Sequence, residues 1–192
     1  MAATEKNCRE LSEKARELGA TDAALISADR IVVEDHLAEK CRQPRCPHYG
    51  LAKSCPPHVA GPSAFREQLK DFAQAIFFVI ERPSEDLFSK RRRELFQLLH
   101  EVAAGTEHAA VRMGYTAAQA YAGGSCKDIF CRNYPDCPAL SAVGKCRFPR
   151  QARPSISGFG INAAKLYEAA GWQMENPGAE NMTSICGLVL IC

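Results

Sequence analysis

GGSCKDIFCRNYPDCPALSAVGKCRFPR (residues 123–150) gathers Cys126, Cys131, Cys137 and Cys146 among the turn-formers Gly123, Gly124, Pro135, Pro138, Gly144 and Pro149. No helical or strand periodicity runs through it, so its order is expected to come from something other than backbone ladders. Thiolates are soft donors, and four of them on a turn-rich loop can converge on one metal centre. A shorter segment upstream, CRQPRCPHYGLAKSCPPH, echoes this design with Cys41, Cys46 and Cys55, and with His48 and His58 beside the thiols. Its cysteines are separated by four and eight residues, those of the later loop by four, five and eight.

The remainder of the chain reads as one α/β (α+β) domain over residues 1–192: a single layer of mixed β-sheet packed with helices, carrying cysteine loops at about 41–60 and 123–150. Ala75–Ile80, AIFFVI, is a continuous apolar run suited to a central strand. Ahead of it, Glu5–Leu18 has the stripe Cys8, Leu11, Ala15 and Leu18 of an amphipathic helix, stopped by Gly19. Ala23–Ser27 and Ile31–Val33 read as a short strand pair turning around Ala28 and Asp29. A helix opens at Gly61-Pro62-Ser63 and buries Phe65, Leu69 and Phe72. Ser84 is placed to cap the next helix, with Leu87, Phe88, Leu95, Leu98, Leu99 and Val102 inward and Gly105 as a break or bend. Ala118–Ala122 is read as a strand, Asn162–Ala170 as a helix, and Ser184–Ile191 as the last strand.

Composition narrows the function. The chain has 192 residues, 46% of them hydrophobic and 24% charged, with a formal net charge of +2. That balance argues against nucleic acid or a membrane surface as a partner. The basic run Lys90–Arg93 is read as a solvated helix face. The N-terminus lacks an apolar signal segment, and no run approaches the roughly 20 residues that span a bilayer, so a cytoplasmic setting is expected. In that reducing compartment ten cysteines suggest metal or thiol chemistry rather than a disulfide framework.

Two readings of the later loop compete. Structural zinc usually takes closely spaced cysteine pairs, which are absent here. A [4Fe–4S] cluster is wider and takes its ligands from a loop that wraps it, often with proline after a cysteine, as in Cys137-Pro138. Spacing therefore favours one or two iron–sulfur clusters, with Cys126, Cys131, Cys137 and Cys146 as ligands and zinc as the alternative. Lys127, Arg132, Lys145, Arg147 and Arg150 would partly neutralise either centre. Cys41, Cys46 and Cys55 supply three more thiolates. The fourth ligand there could be His48, His58, a residue from elsewhere or a substrate, and a cluster held by three thiolates would have one iron open.

Other chemistries find little support. With no C-x-x-C there is no anchor for thioredoxin-like catalysis. Cys8, Cys186 and Cys192 read as packing residues. Gly158-Phe159-Gly160-Ile161-Asn162-Ala163 matches a phosphate-loop pattern that Arg153 could assist, but a turn explains it better. No Ser-His-Asp spacing, P-loop or H-E-x-x-H occurs.

The motifs taken together, Tyr49-Gly50, Cys55-Pro56-Pro57, Cys146-Arg147-Phe148-Pro149, Arg153-Pro154-Ser155 and Gly160-Ile161-Asn162, resemble a prokaryotic family of cysteine-rich predicted metal-binding proteins. The resemblance runs from about Cys41 to the end. It implies metal binding, of iron–sulfur type, in a cytosolic protein, and it implies no reaction. The family's closer first cysteine pair differs from the Cys126-x₄-Cys131 seen here, which bears on whether Cys131 or Cys137 takes that ligand's place. Three functional readings follow. The chain is an electron-transfer or redox-accessory protein with a redox partner, a zinc-stabilised adaptor, or an enzyme that offers an open iron to a small molecule.

Overall fold

The computed structural model describes residues 2–173 and 181–192. Among them a four-stranded sheet has the order β1-β2-β4-β3, with β1 at Asp22–Ser27, β2 at Gln74–Pro83, β3 at Gln119–Ala122 and β4 at Met182–Leu190. β2 lies inside the sheet, as its apolar run predicts, and Ala75 through Ile80 are all buried. Period-two alternation divides those side chains between two cores. Ile76, Phe78 and Ile80 face helices α1 (Ala2–Glu17) and α4 (Arg91–Arg112). Ala75, Phe77 and Val79 face α3 (Gly61–Leu69) and α6 (Ala163–Ala169). The sheet is thus a middle layer covered on both sides, and the class is α+β.

Every pairing between named strands is antiparallel, where a mixed sheet was expected. The reason is the placement of β4. It inserts between β2 and β3, so the two strands that run parallel across the α4 crossover are not neighbours. Ile31–Val33 is not a strand partner of β1. Ala28–Arg30 forms a tight helical turn, β1 pairs with β2 instead, and Val33 makes a single bridge to Ile161.

The expected α4 is also shifted. Ser84–Phe88 forms a separate 3-10 turn that leaves Phe88 89% exposed rather than inward. Ser89, not Ser84, accepts from the helix's first amide, that of Arg91, at 3.1 Å. The helix then passes through Gly105 without a break, because the missing side chain there admits Leu18, whose Cδ1 lies 2.7 Å from where a Cβ would stand. Cys8, Leu11 and Ala15 form the fully buried stripe of α1. Asn162 caps α6 by accepting from the Lys165 amide at 3.2 Å, so the glycine-rich pattern is a turn and helix start. No helix among the described residues is long and apolar enough to cross a membrane.

Phe78 stands directly across from Gly187 of β4, and a Cβ at 187 would collide with its ring. Phe78→Ala should therefore cost about 3–5 kcal/mol through lost burial and cavity formation. Gly187→Ala should cost about 1–3 kcal/mol through overpacking. Urea unfolding of both variants checks the pair; a neutral Gly187→Ala would show that the ring has room to move.

Candidate metal centre

The two cysteine loops, more than sixty residues apart in sequence, lie against each other. The first leaves α2 (Asp35–Glu39) and ends at α3. The second leaves β3, makes the single turn α5 (Cys126–Ile129) and runs along the flank of α4. Two Ser-Cys dipeptides join them reciprocally. Ser54 Oγ is 3.0 Å from Cys126 Sγ, and the Cys55 thiol donates to Ser125 Oγ at 3.3 Å. Each serine thus contacts the sulfur of the opposite loop. The Ser155 amide adds a backbone tie to the Ser54 carbonyl at 2.9 Å.

Each set of predicted thiols lines its own cavity. Cys126, Cys131, Cys137 and Cys146 line a small space of about 10 Å³, with Ala52 from the first loop in its wall. Lys127 and Arg147 also line it; Arg132, Lys145 and Arg150 do not. Lys127 Nζ donates to the carbonyls of Cys131, at 2.9 Å, and Tyr134. Arg147 pairs with Asp136 at 3.0 Å and lies 4.3 Å over the Tyr134 ring. The Phe148 amide donates to Cys146 Sγ at 3.4 Å, which favours a sulfur carrying negative charge.

Cys41, Cys46 and Cys55 line a larger cavity of about 140 Å³ together with His48. His48 Nε2 stands 3.9 Å from Asp128 Oδ2 of α5. His58 lines neither cavity: it is exposed, with Nε2 3.2 Å from the Gly50 carbonyl. Two further lining residues, Arg92 and Arg93, come from the basic run read as a solvated face. They are exposed, as that reading has it, yet they also stand at the cavity's edge.

Burial raises the thiol pKa values. Cys126 is pushed up to about 12, against the opposing Ser54 hydrogen bond, with the charges of Cys55, Cys146 and Cys137 adding to the rise. Cys55, Cys41 and Cys131 are raised by burial and by neighbouring thiols in the same way. Cys55 feels both Cys46 of its own loop and Cys137 of the other, so the seven sulfurs form one electrostatically connected group. Without a cation the raised thiols of Cys41, Cys55, Cys126 and Cys131 are protonated at neutral pH. Among the described residues, no three His, Cys, Asp or Glu side chains form a group that would hold one metal ion. The donor chemistry nevertheless fits a soft metal: seven thiols divided between two cavity linings, an N–H aimed at sulfur, and cationic groups at both cavities.

The second loop is fixed to the scaffold by Arg153, not by phosphate. Its guanidinium is bidentate to Glu107, at 2.7 and 3.1 Å, and both side chains are largely buried. Its amide donates to His100 Nδ1 at 3.1 Å. Glu107 also accepts from the Ala120 amide of β3 at 2.6 Å. His100 is fully buried, edge-on to Phe130, and burial followed by the Arg153 charge takes its pKa down to about 4 against carbonyls that favour the charged form.

These features define a two-loop thiol centre carried on an α+β scaffold. The chain belongs to the family described as predicted metal-binding protein (DUF2284), whose model matches residues 24–191. No curated protein and no solved structure matches it.

The seven thiols and His48 named from the sequence all line one or other cavity, while Ser54, Ser125, Asp128, Arg92 and Arg93, which meet them there, were not named as site residues. The repeated Ser-Cys dipeptide was the available signal for the serines; nothing local marks the other three. Arg153→Ala, which strands Glu107 in a buried place, should cost about 3–5 kcal/mol in stability. For His100 the folded state binds fewer protons than the unfolded between pH 6.5 and about 4. Its contribution is therefore complete above pH 6.5 and is lost as pH falls, by up to about 3 kcal/mol. Chemical unfolding at stepped pH should show a shallower acid slope for His100→Gln than for wild type; equal slopes would remove His100 from the account.

Proposed function

We propose that this chain is a cytosolic iron–sulfur protein with an electron-transfer or redox-accessory role. On this reading Cys126, Cys131, Cys137 and Cys146 hold a [4Fe–4S] cluster. Cys41, Cys46 and Cys55 hold a second metal centre, at which His48 is the protein side chain available as a fourth ligand. The observation that carries the reading is the division of seven thiols into two adjoining cavities, each lined by every cysteine of one loop. His58, turned to the Gly50 carbonyl, is the weaker ligand candidate.

The bound centres would supply reversible one-electron chemistry. The chain's own residues exclude water, hold sulfur in place and tune charge. Phe130, Phe148 and Ala152 dry the second cavity, while Lys127 and Arg147 offset the negative thiolates. Since the thiols of Cys41, Cys55, Cys126 and Cys131 have raised pKa values, loading must displace protons, and affinity should rise with pH.

A zinc-stabilised adaptor is the second reading. It draws on the smallness of the second cavity, about 10 Å³, which suits a single ion better than a cluster unless the loop opens on loading.

Anaerobic purification followed by iron, sulfide and zinc analysis separates the two. The expected outcome is coloured protein with iron and acid-labile sulfide in equal amounts; colourless protein with stoichiometric zinc establishes the adaptor. Cys146→Ala should lose the metal of the second loop and lower thermal stability. An unchanged metal content and melting temperature would show that Cys146 is not a ligand.

A further inference from the structure

The cavity of the first loop has room for more than its thiols account for. Its volume of about 140 Å³ is close to the roughly 150 Å³ of an engineered cavity that admits benzene, space for about half a dozen heavy atoms. The thiols of Cys41, Cys46 and Cys55 share this lining with Arg92 and Arg93 and with Ser125, Ser155 and Ser157. Arg92, Arg93 and Ser157 are exposed, so the cavity meets solvent at that edge.

The three consecutive arginines of α4 are not treated alike. Arg91, which is not part of the lining, pairs with Asp86 at 3.4 Å. Arg92 and Arg93, which are, make no ion pair with any described residue. Arg92 lies 4.9 Å over the Phe96 ring. Arg93 is held by Nε, which donates to the Ile129 carbonyl at 2.8 Å, and its terminal nitrogens have no partner among the described residues. The carboxylate on the lining, that of Asp128, stands by His48. Two guanidiniums at one cavity, with hydroxyls nearby and no counter-ion of their own, present the planar donor forks that match carboxylate and phosphate.

We propose that this cavity binds a small oxyanion-bearing molecule, its carboxylate or phosphate held by Arg92 and Arg93 beside the thiols of Cys41, Cys46 and Cys55. The inference rests on the metal-centre reading for what the ligand meets there, and the grip itself comes from the two arginines. The first loop is then a ligand site as well as a metal site, and the protein acts on or senses a small anion.

The test uses metal-loaded full-length protein, purified anaerobically and held at low ionic strength. Inorganic phosphate and acetate are titrated separately by calorimetry, with visible and EPR spectra recorded on the same samples. Saturable binding of one anion per chain is expected, with a change in the spectrum, and the anion that binds identifies the ligand's charged group. Arg92→Ala should weaken binding roughly ten-fold or more, and Arg92→Lys should restore part of it. Raising salt should weaken binding further. Arg93→Gln provides a second variant should Arg92→Ala fold poorly. Failure of both anions to bind, or binding unchanged in both variants, overturns the inference. So does loss of metal from Arg92→Ala with no effect on anion binding, which would assign the arginines to balancing the thiolate charge. Full metal content without anion binding ends this inference alone, and anion binding by protein that takes up neither iron nor zinc on anaerobic reconstitution ends the metal reading alone.

Discussion

A guanidinium and a carboxylate removed from water hold this molecule's least regular segment in place. Arg153 reaches Glu107 through two nitrogens, while its remaining donors satisfy the carbonyls of Pro149 and Ala152. Glu107 spends its other lone pair on the Ala120 amide. One ion pair therefore joins the long helix α4, the edge strand β3 and the exit of the second cysteine loop. Burying two charges is expensive, and the expense is offset only because nearly every hydrogen-bonding position is filled. With the exit fixed, the loop's thiols have a defined wall to close against. Remove the anchor and about thirty residues with little regular structure lose their reference to the sheet.

The first loop depends on the second in turn. Its backbone is tied at Ser54 to Ser155, and its buried sulfur is met by Ser125. Ala52, Cys55 and Cys126 form a small apolar knot, with Phe130, Cys137 and Ala152 packed around it, distinct from the two main cores. The sheet and its two helical layers act as a platform, and the functional chemistry sits off its flank where the chain is free to follow sulfur geometry.

Much of this was legible in the chain, for identifiable reasons. β2 declared itself because a strand buried on both faces must be apolar at every position, and Ala75–Ile80 is. The stripe Cys8, Leu11, Ala15 appears in the sequence because a helix repeats every three to four residues. Sheet order was not legible: β4 wedges between β2 and β3, a long-range choice that no local pattern records. Phe88 was misplaced because apolar residues at helical spacing look alike whether or not the helix has begun. At the site, cysteine identity exposed the thiols, but the partnership of the loops depends on tertiary apposition. Arg92 and Arg93 were invisible as cavity residues for the same reason, since a charged helix start looks the same whether it borders a cavity or open solvent.

The crossed serines have a further consequence. A thiol gives its hydrogen to a hydroxyl, whereas a thiolate can only receive one. When Cys55 ionises, Ser125 must turn from taking to giving, and Ser125 sits on the other loop, next to Cys126. The orientation of the Ser125 rotor is thus dictated by the state of the sulfur across the seam. The first loop cannot ionise Cys55 without the second loop's hydroxyl swinging round to register it.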